Sequence, residues 1–184
     1  MSLRPLFALG SLAAASIALV SAQPALAAQK DKIFFHSVAG LWSGPGEIVA
    51  GKYKGTKFNC NLTGEPVEGS DPGIKLGGTC RVGVFSQPMN AVIALKSGTY
   101  KGQFLDGAQG KGLDIISGQV NDGRAVMAIN RSKLNGAMVA SLEGEKAMNI
   151  TISVKVDDQM VPVIGLHLDR QPQIDHEMVG SITK

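Results

Sequence analysis

Between Met148 and Val156 the chain alternates: Met148, Ile150, Ile152, Val154 and Val156 share one parity, and Asn149, Thr151, Ser153 and Lys155 share the other. A period of two marks a strand with one face in a core and one in water. The segment from Val161 to Arg170 alternates less cleanly, with Ile164, Leu166, Leu168 and Arg170 on one side and Gly165, His167 and Asp169 on the other. If the leucine side is the inner one, His167 points out. Ala91 to Leu95, Ala125 to Ile129 and Ala137 to Leu142 are apolar at both parities. That is expected where a partner, a second copy or the tail covers the outside of a sheet, and equally where alanine is tolerated on a wet face. Ile33-Phe34-Phe35 precede the first strand and are expected to close one end of the core as a short turn of helix.

Turn signals fall at Ser43 to Gly46, Gly51 to Gly55, Ser70 to Gly73, Pro88 to Asn90, Lys96 to Gly98, Asp106 to Gly112, Asn121 to Gly123, Asn135-Gly136, Glu143 to Lys146 and Asp157 to Gln159. They delimit about ten strands if the first signal is only a kink, and eight if uncertain pairs are merged. Short strands at such spacing predict an all-β sandwich or closed barrel. One hairpin carries more information than the rest. Cys60 and Cys80 stand symmetrically about Asp71-Pro72-Gly73 and are the two cysteines of the chain. Directly opposed positions of an antiparallel pair suit a disulfide, so a bridge is expected, with two buried free thiols as the alternative.

Composition adds a compartment. Arg4, the apolar run Leu6 to Val20 and the small-x-small pattern Ala25-Leu26-Ala27 have the form of a cleavable, bacterial Sec-type signal peptide over residues 1–27. Its 15 apolar residues are too few for a membrane-spanning helix, which takes about 20. Removing residues 1–27 from 184 leaves 157, one domain's worth, in the periplasm or outside the cell, where a disulfide persists. The expected division is a barrel domain over residues 28–170 and a C-terminal tail over residues 171–184. Since Arg4 is the one charge lost, 17 basic and 15 acidic side chains remain. Near-neutrality, with lysines scattered and few aromatics, excludes an evident nucleic-acid interface. An outer-membrane barrel is disfavoured because aromatics are 5% of the chain and the C-terminus is Ser-Ile-Thr-Lys.

Catalytic and metal chemistry finds little purchase. His36, His167 and His176 lie in separate segments without ligand spacing, and Asp175-His176-Glu177 has the character of a solvated end, so no metal site is expected. Gly107-Ala108-Gln109-Gly110-Lys111-Gly112 departs from a phosphate loop at both ends, with Leu105 in place of the first Gly and Gly112 in place of Ser or Thr. No nucleophile elbow occurs, the pair Asp157-Asp158 falls in a turn, and no catalytic residue is assigned. Three glycan-acceptor triplets, at Asn61, Asn130 and Asn149, carry no weight in a bacterial export context.

The stretch Gly40-Leu41-Trp42-Ser43-Gly44-Pro45-Gly46 resembles the opening of calycin barrels. Its Gly-x-Trp resembles the first strand of lipocalins, and Gly-x-Trp-x-Gly-x-Gly resembles the start of nitrobindin-like proteins. In lipocalins an Arg ending the last strand packs over that Trp, and Arg170 stands at the matching place. The resemblance implies structural roles for Gly40, Trp42 and Arg170, the guanidinium over the indole contributing about 0.5 to 2 kcal/mol. It also implies an antiparallel up-and-down β-barrel of about 8–10 strands around a cavity for a small apolar molecule. Trp42, Met127, Ile129, Met138, Ile150 and Ile152 would touch that ligand, and the same residues would serve as plain core. Nitrobindin-like proteins bind haem through a His on the final strand, and His167 occupies a similar place. Haem there requires a bulge at Gly165 that flips the register; otherwise no cofactor is expected.

Two functions follow. One is an exported, non-enzymatic binding protein that holds a small apolar ligand inside the barrel. The other is a periplasmic protein-binding module, an inhibitor or envelope partner, that presents an apolar outer sheet face to another protein or to a second copy. Small secreted bacterial protease inhibitors share a compact barrel, a Trp-bearing first strand and a cysteine pair, a likeness at the level of fold. A cavity on the order of a few hundred cubic ångströms favours the first function, and a filled interior with a flat outer patch favours the second.

Overall fold

A computed structural model describes residues 23–105, 113–132 and 134–172. Residues 1–22 of the expected leader 1–27, the glycine-rich connection 106–112, Lys133 and the tail from residue 173, with Asp175, His176 and Glu177, lie outside the described residues, while residues 23–27 of that leader are helical. A helix, α1 (Gln23–Val38), is followed by ten strands: β1 (Gly40–Ile48), β2 (Lys57–Pro66), β3 (Gly73–Val82), β4 (Phe85–Lys96), β5 (Thr99–Leu105), β6 (Leu113–Asn121), β7 (Arg124–Arg131), β8 (Leu134–Glu143), β9 (Ala147–Val156) and β10 (Gln159–Gln171). Each strand pairs antiparallel with its chain neighbour, and β10 returns to β1, closing an up-and-down barrel. Closure is set by one long-range register, in which Trp42 faces Arg170 on one side and Leu62 on the other.

The turns explain how the strands fit. Ser97-Gly98 and Asp122-Gly123 each have both residues at positive φ, the two-residue geometry whose twist matches the flanking strands. The first turn signal is no more than the kink that ten strands require, and two others are strand. Ser43 to Gly46 runs straight through β1, Pro88 to Asn90 lies within β4, and Asn135-Gly136 lies within β8. In the last two cases the chain turns earlier, at Gly83-Val84 and at Ser132, where Gly83 and Ser132 have positive φ. Pro88 is tolerated because β4 there pairs with Thr79 of β3 alone; among the described residues β5 partners begin at Asn90. In β10 the register shifts between Pro162 and Ile164, before Gly165, so parity is unbroken from Ile164 to Arg170.

The helix is longer than the expected single turn. Asp31, Phe34, Phe35 and Val38 recur at i, i+3, i+4 and i+7, one helical face, and that face enters the end of the barrel. Ile33 was expected beside the two phenylalanines but is exposed, because successive helical residues point about 100° apart. Of the residues expected to point inward, Met127, Ile129, Met138, Met148 and Leu168 are buried, Ile150, Ile152, Ile164 and Leu166 are partly buried, and Val156 is 50% exposed because it ends β9 beside the turn at Asp157. Cys60 and Cys80 are directly opposed, with Cα atoms 4.0 Å apart, and form the disulfide. Among the described residues no helix is long and apolar enough to cross a membrane.

Candidate functional site

Inside the barrel lies an apolar cavity of about 160 Å³. Phe34, Phe35 and Val38 of α1 form its floor. Its walls carry Met138 of β8, Met148, Ile150 and Ile152 of β9, and Ile164 and Leu166 of β10, facing the Cys60–Cys80 bridge and Leu62, Ile74 and Leu76 of β2 and β3. The space exists for two reasons. Ten strands enclose a wider interior than the eight that side chains just fill. At Ala91, Ala125 and Ala140 an inward position is held by a single methyl group. Asn90 is the one polar residue of the lining, and its amide lies on the outer face beside Gly77.

The size of the cavity limits its contents. An apolar cavity of about 150 Å³ elsewhere stays dry and admits benzene or xenon, which sets the scale at one small ring or a short alkyl chain. This is below the few hundred cubic ångströms expected of a storage barrel, and several times too small for a tetrapyrrole. Haem ligation by His167 also fails on direction. The imidazole lies on the outer wall, where Nδ1 is 2.6 Å from Asn149 Oδ1 and Nε2 is 3.7 Å from Asp169 Oδ1. The residues present therefore do not fit haem.

The floor is fastened by a polar latch. The Arg170 guanidinium lies 4.2 Å from the centre of the Trp42 ring. Its Nη1 donates to Ala39 O at 2.5 Å, its Nη2 donates to Ser37 O, and its Nε donates to Glu145 O at 2.6 Å. Trp42 Nε1 donates to Val38 O at 2.8 Å. Carbonyls at the end of α1, left without helical partners, thus receive a cation and an indole N–H from β10 and β1. Gly40, at φ 122°, leaves the room that Nη1 occupies, since a Cβ there would sit 2.6 Å from it. Gly46 likewise leaves room for the Phe58 ring, which a Cβ there would meet. On the other side of the floor, buried Tyr100 donates its hydroxyl to Asp31 Oδ2 at 2.5 Å. Burial first, then the hydrogen bond and charge of Asp31, push the Tyr100 phenol well above its ordinary value.

Of the six residues expected to touch a ligand, Met138, Ile150 and Ile152 line the cavity. Met127 and Ile129 are buried in the packed wall but outside the lining, and Trp42 belongs to the latch at the closed end. Phe34 and Phe35, expected to close one end of the core, also line the cavity, as do Val38, Phe58 and Met89, for which no ligand contact was expected. Their inward parity, or helical spacing, was the available signal. The outer apolar patch is not continuous. Val92 and Val126 are exposed, but Lys101, Gln103, Asp114 and Gln119 on the intervening strands β5 and β6 also face out and break it. No cluster of three or more metal-ligating side chains occurs among the described residues.

No family model and no curated protein matches the chain. Among solved structures it is similar to the crystal structure of Rv2717c from M. tuberculosis, at 11% identity and a TM-score of 0.54, over 81% of this chain and 98% of that one. Such a likeness shows a shared fold. It leaves the lipocalin-like and nitrobindin-like resemblance of Gly40-Leu41-Trp42 and Arg170 without a family match behind it.

Proposed function

We propose that this chain is an exported binding protein that encloses a small apolar molecule, one ring or a short chain, inside its barrel and releases it unchanged. The observation that carries the reading is the cavity of about 160 Å³, closed below by α1 and walled by aliphatic, aromatic and sulfur-containing side chains. An occupant of matching size gains burial at roughly 25 cal/mol per Å² of apolar surface without stripping water from any polar group of the lining. The lining side chains are apolar apart from Asn90, whose amide lies on the outer face, and this supports an apolar occupant. The disulfide supports a compartment outside the cytoplasm, in keeping with the leader.

The test is stabilisation by mass action. Benzene, toluene and indole, added in turn at a concentration a hundredfold above their Kd, should each raise unfolding stability by about 2.7 kcal/mol if they fit. Native mass spectrometry of protein from its own host should then show a retained small mass. A bare protein that none of these ligands stabilises contradicts the proposal.

A further inference from the structure

The barrel has two unlike ends. Connections 49–56, 83–84 and 157–158 lie at the end opposite α1, because strands alternate in direction around a closed up-and-down barrel. There the β1–β2 loop and the β3–β4 hairpin are neighbours, since Asn59 pairs with Arg81. Their apolar side chains point into water: Val49, Tyr53 and Val82 are exposed, Phe85 is 77% exposed and Val84 is 94% exposed. Cations surround them at Lys52, Lys54, Lys57 and Arg81, and no Asp or Glu occurs in residues 49–59 or 79–90, the acids of this end being Asp157 and Asp158 of the β9–β10 connection, where Asp158 is paired with Lys155. Lys52 Nζ lies 5.4 Å from the Tyr53 ring centre, so charge and ring share one surface. The same strands carry Phe58, Cys60, Cys80 and Met89 of the cavity wall.

From this juxtaposition we infer that the β1–β2 loop and the β3–β4 hairpin dock the barrel onto an anionic lipid bilayer, with Val84 and Phe85 entering the acyl boundary. Side chains that project this far into water suit a fluid apolar phase better than a shaped protein surface. Lysines and arginine set around them match a layer of anionic headgroups, to which each adds attraction that salt screens. The purpose of the contact rests on the proposed function: an apolar ligand is scarce in water and concentrated in the bilayer, and docking shortens its path to the cavity. The contact itself is measurable whether or not the cavity is filled.

The experiment uses the full chain carrying Phe85→Trp, with Glu145→Trp at the helix end as a second chain. Each is mixed with vesicles of brominated-chain phosphatidylcholine, with or without an equal share of brominated-chain phosphatidylglycerol. The indole at position 85 should be quenched at least twofold by the anionic vesicles and little by the neutral ones, and the indole at position 145 by neither. Lys52→Gln with Lys54→Gln should weaken the anionic binding by roughly tenfold or more. Val84→Asp with Phe85→Asp should abolish it while the urea midpoint stays unchanged, since both side chains lie in water. Equal quenching at both ends, no quenching at position 85, or undiminished binding by the Val84→Asp/Phe85→Asp chain overturns the inference. An emission shift at position 85 that follows protein concentration without lipid also overturns it, and assigns the surface to a second copy.

Discussion

Removing the guanidinium that joins α1 to the barrel, by Arg170→Ala, should cost about 3 kcal/mol. Hydrogen bonds from a charged donor are worth about 1.5–3 kcal/mol when buried. Those to Ser37 O and Ala39 O are half-buried, so about 1 kcal/mol is assigned to each, and nothing is assigned to the exposed bond to Glu145 O. Stacking on the buried Trp42 ring at 4.2 Å adds about 1 kcal/mol. For a domain of this size the thermal midpoint should fall by roughly 6–12 °C. Arg170→Lys keeps a cation near the helix terminus but loses the planar fork, and should cost about half as much. Urea unfolding gives the free energies, and a double-mutant cycle with Trp42→Leu isolates the stacking as a coupling of about 0.5–1 kcal/mol. A loss below 1 kcal/mol for Arg170→Ala, or Arg170→Lys as costly as Arg170→Ala, refutes the latch.

Two further outcomes follow from the same interior. Replacing Cys60 and Cys80 together by Ala should lower stability by about 3 kcal/mol, the chain-entropy value for a sequence separation of 20, and should raise the urea m-value as the unfolded chain expands. Because the folded-state pKa of Tyr100 is raised, the unfolded chain loses that proton first. Its contribution is therefore complete below about pH 10 and is lost as pH rises beyond it. Tyr100→Phe should flatten the fall in stability between pH 10 and 12, measured by urea midpoints.

Where the chain repeats a local rule, its fold was legible in the sequence. The alternation of Met148 to Val156, the paired cysteines and turns such as Asp122-Gly123 each depend on neighbours a few residues away or on one hairpin. Closure was not local: the choice between a sandwich and a barrel rests on β1 meeting β10, more than a hundred residues apart, and only the pairing of Gly40-Leu41-Trp42 with Arg170 hinted at it. The helix was underestimated because residues 23–27 have the form of a leader's end and residues 28–30 carry no apolar period; α1 owes its place to Asp31, Phe34, Phe35 and Val38 meeting a barrel end formed later in the chain. Parity placed Met127 and Ile129 inside correctly, yet it says nothing of whether a given layer of the barrel is filled. That depends on the residues across the interior, such as Ala91, Ala125 and Ala140. The projecting Val84 and Phe85 escaped notice because the turn was expected at Pro88 to Asn90.

The most direct test of the enclosed cavity is a toluene titration followed by methyl NMR, comparing the parent chain with Ala140→Phe, whose new ring would occupy the space itself. In the parent, shifts should concentrate on Met138, Met148, Ile150 and Ile152, the walls around that space, and should saturate. Ala140→Phe, still folded by circular dichroism, should show none. Shifts absent from the parent, or equal in the two chains, would contradict a ligand site inside the barrel.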